Sequence, residues 1–428
     1  MKKIKNHIIN TWQHAGFQKY FKNTGWMFFS KIFSMIISFF ITAIVARYLG
    51  PEKYGTMMYA VSFVGLFAFL SSLGIDQIVY REILNNPKEE NKLLGTSLIL
   101  KTAGGISAVI LSILCSMIFS DNQLERTLIF IISISYIFQS FNIINYSFQS
   151  RLENRKLSTI TITVNIILSI FKLIIVYFNK GILFLSSLLI LEPILYGLFF
   201  IYIYNRSFGK VRNWFFDKKT AIIIFKSSLP LMFSSIFALV YARIDQVMIK
   251  HYMNNEAVGL YSSAVTLSEV WYFIPTIIVS TFFPAIMNAK NTDKYTYGKR
   301  ILGLSLLITT ILFCISLGGT IFSREVLHII FGSQFISAHT ALSIYIWSGI
   351  GVGLGTIIIQ FLVAEKLPKI ILFISLIGMI INITLNIVLI PIYGINGSAL
   401  ATLISYIIGP LTFCIFKEPR QRIVAIIK

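Results

Sequence analysis

Long apolar stretches separated by short polar breaks run from one end of the chain to the other. Crossing about 30 Å of hydrocarbon takes roughly 20 mostly apolar helical residues. That ruler marks segments 24–49, 54–75, 93–119, 126–149, 157–178, 181–204, 221–249, 257–287, 301–322, 336–364, 368–390 and 396–416. The pattern predicts an all-α integral membrane protein with about twelve transmembrane helices. The narrowest division falls at Asn179, Lys180 and Gly181; merging the two segments there would leave eleven spans and put the termini on opposite sides. The widest polar break, 205–220, splits the chain into an N-terminal six-helix lobe (1–204), a linker (205–220) and a C-terminal six-helix lobe (221–428).

Composition agrees with lipid as the solvent. Of 428 residues, 56% are hydrophobic and 13% charged, with 37 Phe and a mean hydropathy of +0.78. A soluble domain carries roughly 25% charged residues, so this chain could not cover a water-facing surface. Its breaks are short, the largest being about 16 residues, and leave no room for a soluble catalytic domain. Cys115, Cys314 and Cys414 lie in apolar runs and read as packing residues. No cluster of His, Cys, Asp and Glu has metal-site spacing, and no cofactor is implied. Residues 1–22 are basic and polar and lack the apolar core of a cleavable leader, so the first span is expected to remain in the mature protein.

Charge gives the sidedness. With the N-terminus in the cytoplasm, 26 of the 37 Lys and Arg fall on inside segments and 5 on outside loops, the other 6 lying within spans. Cytoplasmic loops are enriched in Lys and Arg, so both termini are expected to be cytoplasmic. The net charge of +20 follows mostly from this bias and does not call for a nucleic-acid partner.

The two halves share a faint repeat. Glu52, Gly55, Ala60 and Val61 recur in register 204 residues later as Glu256, Gly259, Ala264 and Val265. Many transporters duplicate a helix bundle and bind substrate where the repeats meet.

The stretch Arg47-Tyr48-Leu49-Gly50-Pro51-Glu52-Lys53-Tyr54-Gly55, continuing through Ser72-Leu73-Gly74 to Arg81-Glu82, resembles the first outer loop of Wzx-type polysaccharide flippases. Leu229-Pro230-Leu231-Met232, Tyr241-Ala242-Arg243-Ile244-Asp245-Gln246, Val258-Gly259-Leu260-Tyr261 and Phe282-Phe283-Pro284-Ala285 are similar to that family's second-lobe segments. These flippases belong to the multidrug/oligosaccharidyl-lipid/polysaccharide exporter superfamily. The resemblance implies two six-helix lobes in a V, alternating access and a bacterial cytoplasmic (inner) membrane. The implied cargo is undecaprenyl-diphosphate-linked oligosaccharide, moved to the outer leaflet for surface polysaccharide assembly. The implied partners are that cargo, membrane lipids and other polysaccharide-assembly membrane proteins.

Charged residues inside spans are costly and usually face a cavity or a partner. The cations are Lys31, Arg47, Lys101, Lys172, Lys226 and Arg243, and the acids are Glu192, Asp245 and Glu269. Lys226 and Arg47 lie near span ends, where snorkelling is the plainer reading. At 100° per residue, polar stripes join several of the others. Lys31, Ser34, Ser38 and Thr42 share a face, as do Ser97, Lys101 and Ser112; Ser135, Asn142, Tyr146 and Gln149; and Ser158, Thr161, Asn165, Ser169 and Lys172. The second half offers Ser262, Thr266, Glu269 and Thr276, and then Ser375, Asn382 and Asn386. Each stripe reads either as glue between helices or as the lining of a cationic cavity. In the second case Lys31, Arg47, Lys101, Lys172 and Arg243 would hold the diphosphate, with Ser38, Asn142, Gln149, Asn165 and Asn382 against the sugars. Glu192, Asp245 and Glu269 would bind a coupling ion or form ion pairs. Pro230, Pro275 and Pro284, and the glycines from Gly349 to Gly355, are places for either bending or close packing.

Other readings stay open at this level. A cation-coupled multidrug/toxin extruder of the same superfamily would use carboxylates in its first lobe; here Glu192 stands against four cations. A lipid-II-type flippase would carry two further helices. A polytopic polysaccharide polymerase or ligase would carry a large outer loop. Reporter fusions test the topology directly: those placed after Arg212 and after Lys294 should both score cytoplasmic, and an outside score at either breaks the twelve-span assignment.

Overall fold

The computed structural model describes residues 15–120, 122–290 and 294–421. Among these residues ten helices are long and apolar enough to cross a membrane, or eleven if Ser333–Tyr345 and Ser348–Ala364, bent by 41°, form one span. The first of the ten, Phe28–Gly65, is 38 residues long, about 57 Å if straight and nearly twice the hydrocarbon thickness. It is in fact two helices. Gly50 leaves helical geometry at φ 70 and ψ 170, a conformation that glycine tolerates because it has no Cβ. Pro51 then opens the second helix, where its missing N–H costs nothing. With this break and the bent pair taken into account, each of the twelve segments that hydropathy predicts contains helix among the described residues.

In order the helices are α1 (Ala15–Gly65, broken at Gly50), α2 (Ala68–Ser72), α3 (Asp76–Asn85), α4 (Glu90–Phe119), α5 (Gln123–Phe138), α6 (Ile144–Ser150), α7 (Asn154–Tyr177) and α8 (Ile182–Ser207). They continue as α9 (Lys218–Tyr252), α10 (Asn255–Glu269), α11 (Phe273–Lys290), α12 (Lys294–Ile321), α13 (Ser323–Phe331), α14 (His339–Tyr345), α15 (Ser348–Ala364), α16 (Pro368–Tyr393) and α17 (Ile395–Leu411). The division at 179–181 is present: Asn179 (φ 52) and Gly181 (φ 84) turn the chain between α7 and α8. Besides 336–364, which holds the bent pair, three predicted spans are less regular than the ruler implied. Segment 54–75 is helical to Gly65 and then breaks into α2. Segment 126–149 is interrupted by a 3-10 stretch, Gln139–Ile143, and 257–287 by another, Val270–Tyr272.

The chain forms two compact units, 1–42 with 67–232, and 43–66 with 233–428. In the first, Ile75, Val79, Leu94, Ile144, Phe148, Val164 and Tyr204 form the buried centre. At one end Glu90, the first residue of α4 and 6% exposed, pairs with Arg151 and accepts from the Ser147 hydroxyl. The Glu90 carboxylate raises the Arg151 pKa further, and the guanidinium lies 4.4 Å over the Phe208 ring. The segment before α9 is anchored to the same unit. Asp217 accepts from the Thr220 hydroxyl (2.6 Å) and backbone N–H (2.8 Å), bonds that hold its carboxyl below the usual range. Its own N–H donates to Thr96 Oγ1 at 3.1 Å.

In the second unit Ile308, Leu312, Val279, Phe361 and Leu362 are central to one buried cluster. Lys290 pairs with Glu365 at 2.7 Å. The repeat-related glycines meet directly. A Cβ on Gly55 would lie 1.7 Å from the Asn255 carbonyl oxygen, and one on Gly259 would lie 1.9 Å from that of Pro51. The two backbones therefore touch, as small residues allow in lipid, where no hydrophobic force drives helices together. Gly351 serves the same purpose, its missing Cβ falling 2.4 Å from the Tyr406 carbonyl oxygen; at that position close packing is the role observed.

Gly259→Ala should therefore force α10 off the helix that begins at Pro51, at a cost of about 1–3 kcal/mol or more. Gly303→Ala, where nothing lies within 4 Å of the added carbon, is the control. In detergent the first should lower the thermal unfolding midpoint and the second should leave it or raise it; equal midpoints would disprove the contact.

Candidate functional site

The predicted polar stripes of α1 and α7 face one another. Ser30 Oγ donates to Ser158 Oγ at 3.1 Å, and two turns further on Ser38 Oγ lies 3.5 Å from Asn165 Oδ1. Asn165 Nδ2 donates to the Thr161 carbonyl at 2.9 Å and approaches the Tyr196 hydroxyl of α8 at 3.4 Å. Between these rungs the Ser34 hydroxyl is buried without a hydrogen-bond partner. A hydroxyl- and amide-rich seam thus runs through three spanning helices. Lys31 lies next to its Ser30 rung, is exposed and forms no ion pair among the described residues.

The other two first-half lysines within predicted spans, Lys101 and Lys172, each have a carboxylate near them. Lys101 is 4% exposed and its ammonium sits 2.7 Å from Asp76 Oδ1. Asp76 opens α3, just beyond the predicted second span, so hydropathy assigns it to a loop and misses the pair. Lys172 on α7 and Glu192 on α8 are electrostatic neighbours. Asn142 and Gln149 are half-buried. Gln149 Nε2 donates to Asn145 Oδ1 at 3.1 Å. The 3-10 stretch Gln139–Ile143 advances three residues per turn, so it shifts Asn142 out of the face that an unbroken α-helix would give it.

In the second unit Arg47 spends its guanidinium on the end of a helix. Nε donates to the Ile330 carbonyl at 2.8 Å and Nη2 to that of Ile329, with His328 O at 3.5 Å. These carbonyls belong to the last turn of α13, where a cation is favoured. Arg243 is half-buried with no ion pair among the described residues, and its charge lies near both Asp245 and Glu269. Two residues apart on a helix, Arg243 and Asp245 do not bridge.

Asp245 is instead the centre of a polar nest. It is 4% exposed, accepts from the Tyr261 hydroxyl at 2.5 Å and from the Gln246 N–H at 2.8 Å. Tyr261 is 3.3 Å from Thr402 Oγ1. Asn382 donates to Ser405 Oγ at 3.2 Å, and Asn386 donates to Asn382 Oδ1 at 3.1 Å. The Asn386 side-chain oxygen is buried with no partner. Glu269 accepts from Tyr345 at 3.2 Å. The tyrosines of this nest escape a sequence reading because they score as apolar residues in an apolar run. Thr276 leaves the face of Glu269 because Val270–Tyr272 is a 3-10 turn. Among the described residues no group of three His, Cys, Asp or Glu side chains could hold a metal ion.

Breaking one side of the Lys101–Asp76 pair leaves a buried charge alone, at a cost of about 3 kcal/mol. Asp76→Asn should lower the unfolding midpoint sharply, while the double change Asp76→Leu with Lys101→Met should recover most of it. Additive losses in a double-mutant comparison would show that the pair is not coupled.

The chain is similar to several known proteins. The Haloferax volcanii protein named "Probable flippase AglR" is 28% identical over 250 residues, 58% of this chain and 51% of AglR, so the match spans about half of that relative's length. The Staphylococcus aureus capsular polysaccharide biosynthesis protein CapF is 22% identical over 92% of this chain and 98% of its own. Among solved structures, an inward-facing multidrug resistance MATE transporter superposes with a TM-score of 0.77 at 14% identity, over 92% of this chain and 95% of its own. The lipid II flippase MurJ, in an inward closed conformation, superposes with a TM-score of 0.73 at 18% identity, over 94% of this chain and 89% of its own. At these identities the two structures establish the fold alone. The family model for polysaccharide biosynthesis proteins matches residues 20–290, well over half of the sequence, and this multi-pass membrane protein belongs to that family.

Proposed function

We propose that the protein flips a lipid-linked oligosaccharide, carried on an undecaprenyl diphosphate, from the cytoplasmic to the outer leaflet of a bacterial inner membrane, with both termini cytoplasmic. The family and the flippase name of AglR support this reading. The observation that carries it is the sign of the membrane-embedded charge in the first half. Among the described residues Lys31 has no ion pair beside a seam of hydroxyls and amides, Lys101 pairs with Asp76, and Lys172 has Glu192 as an electrostatic neighbour. Such a lining receives an anion with many hydroxyls. A drug-cation extruder of the same fold would need uncompensated carboxylates in its place.

On this reading Lys31 and Arg243 attract the diphosphate first. Lys101 and Lys172 exchange Asp76 and Glu192 for phosphate oxygens, a trade between charge-assisted hydrogen bonds of similar strength. Ser38, Asn142, Asn165 and Gln149 exchange hydrogen bonds with sugar hydroxyls. Arg47 stabilises the helix end that it caps. The lobes 1–204 and 221–428, joined by the linker 205–220, are the proposed working halves. Asp245, with Tyr261, Thr402, Asn382 and Asn386 around it, is the proposed seat of a coupling proton or cation. Glu269 tunes Arg243, and Glu192 pairs with Lys172.

The test is glycan export by single variants with membrane levels matched. Lys31→Ala and Arg243→Ala should each cut export at least about tenfold, the loss of one charge-assisted contact. Asp245→Asn should abolish the dependence of export on an imposed ion gradient. Wild-type export in both cation variants would refute the assignment.

A further inference from the structure

A groove on the first unit belongs to neither the polar seam nor the ion pairs. It runs along the first turns of α9, holds about 440 Å³, and is lined by Leu100, Phe216, Ile222 and Phe225 with Lys218 and Lys226. Its floor is apolar and its charge is wholly positive. Both lysines are exposed, and neither has an ion pair or hydrogen bond among the described residues. The groove does not depend on a loose segment. Asp217 caps α9 and bonds to Thr96, and the backbone of Phe215 lies against α4, where a Cβ on Gly95 would come within 2.6 Å of its carbonyl oxygen.

The surroundings fix the depth of the groove in a bilayer. Phe215 and Phe216 are 55% and 47% exposed, beside Lys210, Arg212 and Lys219. Exposed aromatic rings next to basic residues mark the level where hydrocarbon meets headgroups. Lys226 lies two turns into α9, about 12 Å from Lys218 along the axis. Helix side chains lean toward the N-terminus, and a lysine two turns into a spanning helix can snorkel that way to the headgroup level with its stem over apolar surface. Two unpaired cations therefore stand above an apolar slot that opens into the acyl region. A free phosphate would leave that slot empty. A zwitterionic lipid would bring its own ammonium against two lysines.

We propose that this groove binds an anionic phospholipid of the leaflet beside the linker. The phosphate sits between Lys218 and Lys226, and one acyl chain lies along Leu100, Ile222 and Phe225. The proposal does not depend on what the protein transports. Juxtamembrane lysines attract anionic headgroups generally; here the slot beneath them makes the attraction a site.

Native mass spectrometry of the full chain, extracted from bilayers of equal phosphatidylglycerol and phosphatidylcholine, tests it. The wild type should retain one phosphatidylglycerol through detergent exchange. Lys218→Gln with Lys226→Gln should lower its occupancy about tenfold or more, leaving phosphatidylcholine unchanged. Ile222→Trp, which fills the slot without altering charge, should lower it as well and keeps the test valid if the lysine variant does not fold. Lys210→Gln with Arg212→Gln should retain the lipid. Equal phosphatidylglycerol retention in wild type and Ile222→Trp, or equal retention of the two lipids by the wild type, would overturn the site.

Discussion

A bilayer interior solvates apolar side chains as well as a protein core does, so burial of Leu or Ile does little to hold one spanning helix against another. Specific contacts have to do that, and in this protein they are of two kinds. Backbones approach where side chains are missing, as at Gly55 and Gly259. Polar groups meet partners they cannot find in lipid, as at Ser30 and Ser158, Lys101 and Asp76, and Asp245 and Tyr261. The second kind is asymmetric in energy. Forming the pair gains little over water, whereas losing one member strands a charge or donor in hydrocarbon. Lys101 accordingly pairs with Asp76, and Arg47 is placed on helix-end carbonyls.

That constraint explains how much could be read from residues alone. Span number, the break at Asn179–Gly181 and the glycine repeat were legible because hydropathy and backbone demands are local. The break at Gly50-Pro51, between segments 24–49 and 54–75, was legible for the same reason. The α1 and α7 stripes could each be drawn because 100° per residue holds along regular helices, but which helix a stripe faces is a tertiary fact that the residues do not carry. The stripes through Asn142 and through Glu269 to Thr276 were not legible, because 3-10 turns shift the phase and nothing in their composition announces them. Asp76 was hidden by a boundary error of a few residues. Arg47 was hidden for a different reason: its partners are main-chain carbonyls, which carry no sequence signature.

The match of fold to both a multidrug transporter and a lipid flippase shows how little the helix arrangement says about cargo. The two neighbours superpose on this chain almost equally well, so shape cannot choose between a cationic drug and an anionic glycolipid. Charge can. A cation-binding first half needs a carboxylate free of any partner in the membrane. Here Asp76 pairs with Lys101 and Glu192 is an electrostatic neighbour of Lys172, while Lys31 has no ion pair among the described residues. The surplus is positive, and water or an anion must supply the balance. A site filled permanently by water would be as stable with serine in place of lysine and would avoid the cost of desolvating an ammonium. The proposed function gives that charge a reason to be kept, an anion that occupies it repeatedly and is then released.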